Sequence, residues 1–172
     1  MKLSRRQQLS MLGMFLFTLW GLAFLGFGFV WQSTKSMPQG IYLTYPSLKD
    51  YQKGDVVVFS PQKSTLKFAT YYHWVSHRSD LLFLKKVVAV PHDFVCTLAG
   101  ELYINDQKRG KVWWIAPHGI ILPRFNFCGK VPKGHVFLQG TNSTRSFDSR
   151  YYGLIQTQRI KGKAKRIWTF HN

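Results

Sequence analysis

Three short segments carry side chains able to do chemistry. The first, STKSMPQGIY (33–42), sets two serines and a threonine beside a proline and a glycine. The second, LLFLKKVVAV (81–90), holds two adjacent lysines in an otherwise apolar run. The third, GTNSTRSFDSRYYG (140–153), packs Ser146, Asp148, Ser149 and Arg150 into five residues. A serine hydroxyl becomes a nucleophile when a base removes its proton. A lysine can be that base if apolar surroundings draw its pKa toward neutrality. On a strand, alternate side chains face opposite ways. Lys85 would then share a face with Phe83 and Val87, and Lys86 with Leu84 and Val88. Either lysine could lie among apolar neighbours. The pair would also suit an edge strand, where lysines discourage aggregation. Segment 140–153, by itself, reads as a turn with Asp148 and Arg150 paired internally.

The elements that must position these residues begin with an apolar run. Met11 to Trp31 contains neither charge nor proline, and is preceded by Lys2, Arg5 and Arg6. As a helix it would span about 30 Å, the thickness of a bilayer's hydrocarbon core. A buried helix of a soluble protein would not be apolar on every face. A cleaved signal peptide would have a shorter apolar core and a small-residue cleavage site after it. The run is therefore read as an uncleaved anchor, with residues 1–10 cytoplasmic, 11–31 crossing the membrane and 32–172 outside. Ser36 would follow the anchor by six residues, at most about 20 Å of extended chain, and so stand at the membrane surface.

Beyond the anchor, the chain is long enough for one domain with its own core. Strands are expected over 40–45, 54–60, 81–90, 94–100, 101–106, 135–140 and 159–170, from β-branched or aromatic runs bounded by Gly and Pro. Residues 61–80 could be a short helix or a loop. The fold class expected is mostly β, with short antiparallel strands behind one N-terminal transmembrane helix.

The order of anchor, SMPQGIY, FLKKVVAVPHDFV and GTNSTRSFDSRYYGLI resembles the signal peptidase I family. That family carries Ser-Met-x-Pro-like, Lys-Arg-x-x-Gly-x-Pro-Gly-Asp and Gly-Asp-Asn…Ser-x-Asp-Ser-Arg-Tyr boxes in this order. Within it, the compact length and the Pro directly after Met look most like the TraF-type peptidases of conjugative transfer, which process pilin precursors. The resemblance implies a serine endopeptidase with a signal-peptidase-like all-β domain and a Ser/Lys dyad. By position, Ser36 matches the nucleophile, and Lys85, six residues before Pro91, matches the general base. Thr34 matches a hydroxyl that assists the oxyanion hole together with the Ser36 N–H. Ser146 matches a serine that helps hold the lysine amine, and Asp148 and Arg150 match the Asp and Arg of the last box. No cofactor is implied. Two departures stand out: Thr141 replaces the Asp of Gly-Asp-Asn, and His92 replaces the Gly of Pro-Gly-Asp. The latter implies a changed turn, because His is costlier than Gly at positive φ.

Other features bound the function. A net charge of +17 points to anionic partners, phospholipid headgroups among them. It also leaves open a noncatalytic basic adaptor of a transfer apparatus, although nothing points to specific nucleic-acid binding. The partners implied are pilin or other secreted precursors and membrane phospholipid, with a general signal peptidase as the alternative reading. The localisation implied is a bacterial inner membrane with the domain periplasmic. Cys96 and Cys128, outside the cytoplasm in that topology, could form a disulfide closing a loop of about 32 residues. His73 and His77 have i, i+4 spacing but lack the Glu and third ligand of a zinc site, so no metal is expected. Phe68, Tyr71, Tyr72 and Trp74 could form an interfacial belt or ordinary core. The tail RIKGKAKRIW reads as a solvated strand facing water or anionic headgroups.

Overall fold

The computed structural model describes residues 4–47, 50–75 and 81–170. Helix α1 (Arg5–Phe24) opens with a capping box, in which Ser4 and Gln7 satisfy each other's backbone and side-chain groups. The chain continues through β1 (Gly28–Gln32), β2 (Gly40–Tyr45), β3 (Val56–Phe59) and α2 (Lys63–Tyr71). It runs on through β4 (Phe83–Ala89), β5 (Phe94–Leu98), β6 (Glu101–Ile104), β7 (Gln107–Lys111) and β8 (Cys128–Lys130). Strand β9 (His135–Gln139), α3 (Ser149–Tyr152), β10 (Ile155–Gln156) and β11 (Ile160–Thr169) complete the described elements.

The helix does not coincide with the apolar run. It begins at Arg5 and ends at Phe24, whereas the run was read as a span over 11–31. Gly26, at φ 82°, takes a left-handed turn that ends the helix. Phe29, Val30 and Trp31 then follow a period of two rather than 3.6 and pair antiparallel with β2, from Gly28 opposite Thr44 to Gln32 opposite Gly40. The last residues of the run thus belong to the β domain, and the tether to Ser36 is a structured strand. No residue of α1 is buried against protein, and the helix is long and apolar enough to cross a membrane.

Two antiparallel sheets form the domain. The larger has the order β1-β2-β11-β3-β4-β9-β10, and the smaller β7-β6-β5-β8. Strand β4 is internal to the larger sheet, between β3 and β9. The edge-strand reading of its lysines is therefore wrong. Lys85 is 5% exposed and Lys86 is half-buried. Alternation along β3 and β4 builds two cores: Val57, Phe59 and Val87 join one, while Val58 and Leu84 join Met37, Tyr42 and Ala164 in another. A third core, with Ala89, Val95, Leu102 and Phe137, joins the two sheets. Cys96 stands directly opposite Cys128 across β5 and β8, and the two form a disulfide.

The turn after β4 sets His92 at a position that glycine would occupy more easily. His92 adopts φ 77°, a strain on the order of 1 kcal/mol for a non-glycine residue. Asp93 holds the turn, accepting from the Val90 N–H at 2.9 Å, Asn105 Nδ2 at 2.7 Å and Lys53 Nζ at 2.9 Å.

Candidate active site

Ser36 lies in the loop between β1 and β2, and Lys85 lies at the middle of β4. The fold brings these residues together across 49 positions of sequence, with Lys85 Nζ 2.8 Å from Ser36 Oγ. The lysine amine also donates to the Leu84 carbonyl at 3.3 Å. Burial draws the Lys85 pKa down from 10.5 to about 8; the Asp148 carboxylate opposes that shift and the Arg150 guanidinium adds to it. A neutral amine at hydrogen-bond distance from a hydroxyl can act as its general base. Both groups line a cleft of about 780 Å³, walled by Val30, Ala69, Trp74, Ile120 and Leu122 among others.

Thr34 Oγ1 stands 3.2 Å from Ser36 Oγ. The buried Gln32 at the end of β1 donates from Nε2 to both the carbonyl oxygen and Oγ1 of Thr34, at 2.8 and 2.6 Å. Sequence reasoning passed over Gln32. Its signal was the period of two that carries Gln32, Thr34 and Ser36.

The third segment supports the site from beneath. Arg150 is 1% exposed and uses all five of its N–H donors. Nε and Nη2 grip the two Asp148 oxygens, each at 2.8 Å. Nη1 reaches the carbonyls of Lys111 at 2.7 Å and Thr144 at 2.9 Å, and Nη2 that of Ser146 at 3.0 Å. Asp148 also caps α3 and accepts from the Gly140 N–H at 3.0 Å. The internal Asp148–Arg150 pair is thus present, but as a fully buried brace.

Ser146 departs from the expectation drawn from the resemblance. Its Oγ is buried and makes no hydrogen bond among the described residues, so it does not hold the lysine amine here. Instead its side chain packs on Gly140, where a Cβ would come 2.6 Å from both Ser146 Cβ and the Ser36 carbonyl oxygen. Gly140→Ala is therefore expected to cost about 1–3 kcal/mol by overpacking. It should also lower turnover by displacing Ser36, since misplacement by about 1 Å can cost 10²-fold. Urea titration together with peptide turnover checks both. The missing carboxylate at Thr141 leaves a weaker contact, Thr141 Oγ1 to Met37 Sδ at 3.6 Å. The adjoining Asn142 N–H still ties this segment to the Ser36 carbonyl at 3.2 Å.

The aromatics in and just after α2 pack against one another. Phe68 stacks on Phe147 with ring centres 5.4 Å apart and meets Tyr72 and Trp74, so the cluster walls the cleft; Tyr71 alone of the four is largely exposed. His73 belongs to no metal-binding group among the described residues, and His77 lies outside them.

A buried lysine thus stands at hydrogen-bond distance from a serine in a largely apolar cleft of a mostly β domain, an arrangement able to support serine–lysine nucleophilic chemistry. The chain belongs to the signal peptidase, peptidase S26 family, whose model matches residues 6–169. It is 31% identical over 116 residues to thylakoidal processing peptidase 1 of Arabidopsis thaliana, covering 66% of this chain and 32% of that one. It is 28% identical over 123 residues to a probable signal peptidase I-2 of Synechocystis, covering 70% and 50%. The chain thus spans half or less of the length of these relatives. A signal peptidase I crystal structure from Enterococcus faecalis superimposes with a TM-score of 0.39 at 22% identity, covering 68% of this chain and 98% of that one.

Proposed function

We propose that this chain is a membrane-anchored serine endopeptidase of the signal peptidase type, with Ser36 as nucleophile and Lys85 as general base. The observation that carries the reading is the 2.8 Å contact between Ser36 Oγ and a buried Lys85 Nζ. Neutral Lys85 takes the Ser36 proton as Oγ bonds to the scissile carbonyl carbon. The Ser36 N–H and Thr34 hydroxyl stabilise the oxyanion. The lysine ammonium then gives its proton to the leaving amine as the C–N bond breaks. Water or a second amine resolves the acyl-enzyme. Ser36 and Lys85 have no such use in a noncatalytic adaptor.

Helix α1 anchors the protein, and Arg5 and Arg6 at its start favour a cytoplasmic N-terminus. The disulfide favours an oxidising compartment for the domain, the periplasm of a bacterial inner membrane. Exposed Phe29, Trp31, Ile167 and Trp168 form an apolar surface on the sheet that continues from the anchor. Exposed Lys165 and Arg166 lie beside it. This combination suits phospholipid contact, apolar side chains for the acyl boundary and cations for the headgroups.

The substrates are secreted precursors cut after small residues. Within that class we favour pilin precursors of a conjugative or type IV secretion system, on the compact domain and the Ser36-Met37-Pro38 sequence. General secreted precursors fit the same site, and the relatives named signal peptidase I support that reading. The full chain in proteoliposomes, given a pilin precursor and an unrelated secreted precursor side by side, should cleave the first more rapidly. Ser36→Ala should cleave neither. Equal cleavage of both would leave a general signal peptidase, and cleavage by Ser36→Ala would end the peptidase reading.

A further inference from the structure

Gln32 closes β1 and is 7% exposed. Its Nε2 donates to two atoms of one residue, the carbonyl oxygen and Oγ1 of Thr34. A carbonyl oxygen can only accept, so the NH₂ end of the amide must face Thr34. Thr34 Oγ1 therefore accepts on that side. A hydroxyl has a single proton, and that of Thr34 is left for the opposite side, where Ser36 Oγ lies at 3.2 Å. Ser36 Oγ then accepts from Thr34; the Lys85 ammonium also donates to it at 2.8 Å, and once Lys85 is neutral the Ser36 proton is the one left to point at Nζ.

We infer that Gln32 is a positioning residue that sets the direction of a hydrogen-bond chain running from its amide through Thr34 and Ser36 to Lys85. This rests on the Ser36–Lys85 reading above. The chain does two things. It points the Ser36 proton at the amine that must remove it. It also keeps the Thr34 proton available as a donor when negative charge develops on the substrate carbonyl, where preorganised donors contribute most. Neighbouring donors in such a chain polarise one another, so the effect of Gln32 reaches Ser36 without contact. Thr34 itself is exposed, so it is the two bonds from the buried Gln32 amide, and not burial of the hydroxyl, that fix its acceptor side.

The consequence is a test of polarity at constant size. Gln32→Glu is nearly isosteric, but its carboxylate accepts where the amide donates. It would draw the Thr34 proton toward itself and turn the Ser36 proton away from Lys85. The experiment uses the full chain in detergent with a fluorogenic peptide carrying alanines before the scissile bond. For Gln32→Glu, kcat is expected to fall about 30-fold or more with KM within about twofold, the signature of an interaction made in the transition state. Gln32→Met, which removes the donor without adding charge, should lose less and serves if the charged variant misfolds. Thr34→Val should lose as much as Gln32→Glu, and Thr34→Ser should keep most of the activity. The Gln32→Glu/Thr34→Val double variant should be no slower than Thr34→Val alone, because both act through one hydroxyl. Wild-type kcat in both Gln32 variants, losses that multiply in the double variant, or losses confined to KM would overturn the inference. Wild-type turnover that persists in Ser36→Ala would instead overturn the dyad reading, and the inference with it.

Discussion

Lys85→Met is expected to abolish processing and at the same time to make the protein more stable. General bases contribute about 10²–10⁴ to rate, and without one the Ser36 hydroxyl is a poor nucleophile. A loss of about 10²–10⁴-fold in kcat/KM is therefore anticipated, measured against the same peptide. The stability gain comes from the same burial that makes Lys85 useful. Its folded-state pKa of about 8 lies below the ordinary 10.5. Between these values the unfolded chain binds more protons than the folded one, so the stability of the wild-type protein rises with pH across that window. Below pH 8 the full penalty for holding a buried ammonium is present. Methionine fills similar space without charge. After allowance for the lost contact to Ser36, the gain at pH 7 should be roughly 2 kcal/mol. It should shrink as pH rises from about 8 toward 10.5, read as converging urea midpoints. The rate carries the complementary signature. At pH 7 about a tenth of Lys85 is neutral, against about one in 3,000 for an ordinary lysine. Turnover should therefore climb about tenfold per pH unit at low pH and level off above about 8. A flat profile would remove Lys85 as the base.

Arg150→Ala should destabilise the domain by about 3–5 kcal/mol, because it strands the buried Asp148 carboxylate without its partner. Arg150→Lys should recover little of this. The guanidinium delivers five N–H groups in a rigid fork, and the structure uses each on a different geometry: two on Asp148 and three on the carbonyls of Lys111, Thr144 and Ser146. An ammonium has three donors radiating from one point and cannot reach all of these. The damage should also reach the site. Asp148 fixes the Gly140 N–H, and Gly140 packs against Ser146 and the Ser36 carbonyl. Arg150→Lys kept folded at low temperature should therefore turn over slowly, whereas a surface control such as Lys161→Ala should alter neither property. Chemical denaturation and peptide turnover on the same preparations separate the two effects.

Much of the fold was legible because its signals are local. Strand 40–45 coincides with β2, and the runs at 81–90, 101–106, 135–140 and 159–170 contain β4, β6, β9 and β11. Their β-branched and aromatic stretches are bounded by Gly and Pro, which act on their immediate neighbours. Strand β7, reading QKRGK, was missed because neither face of it is apolar; it is held by pairing with β6. Strand β1 was missed because its residues are apolar on both faces and merge with the run before them. Only partnership with β2 separates strand from helix there.

The site divides in the same way. Ser36, Lys85, Thr34, Asp148 and Arg150 were singled out by the resemblance to the signal peptidase I family; residue types alone left the lysines open to an edge strand and segment 140–153 to a turn. Sequence likewise marked an apolar N-terminal helix with no protein face to bury, though not its end at Phe24. The choice between Lys85 and Lys86 lay beyond strand periodicity, since both neighbours of each are apolar. The tertiary structure makes it physically: an internal strand buries one side chain against the core and aims its amine at a loop 49 residues away. The idle hydroxyl of Ser146, the five bonds of Arg150 and the orienting amide of Gln32 were also decided only in three dimensions. Hydrogen bonds depend on positions held to a few tenths of an ångström, and the order of residues does not encode those positions, whether the partners are two residues apart, as Gln32 and Thr34 are, or 39 apart, as Arg150 and Lys111 are.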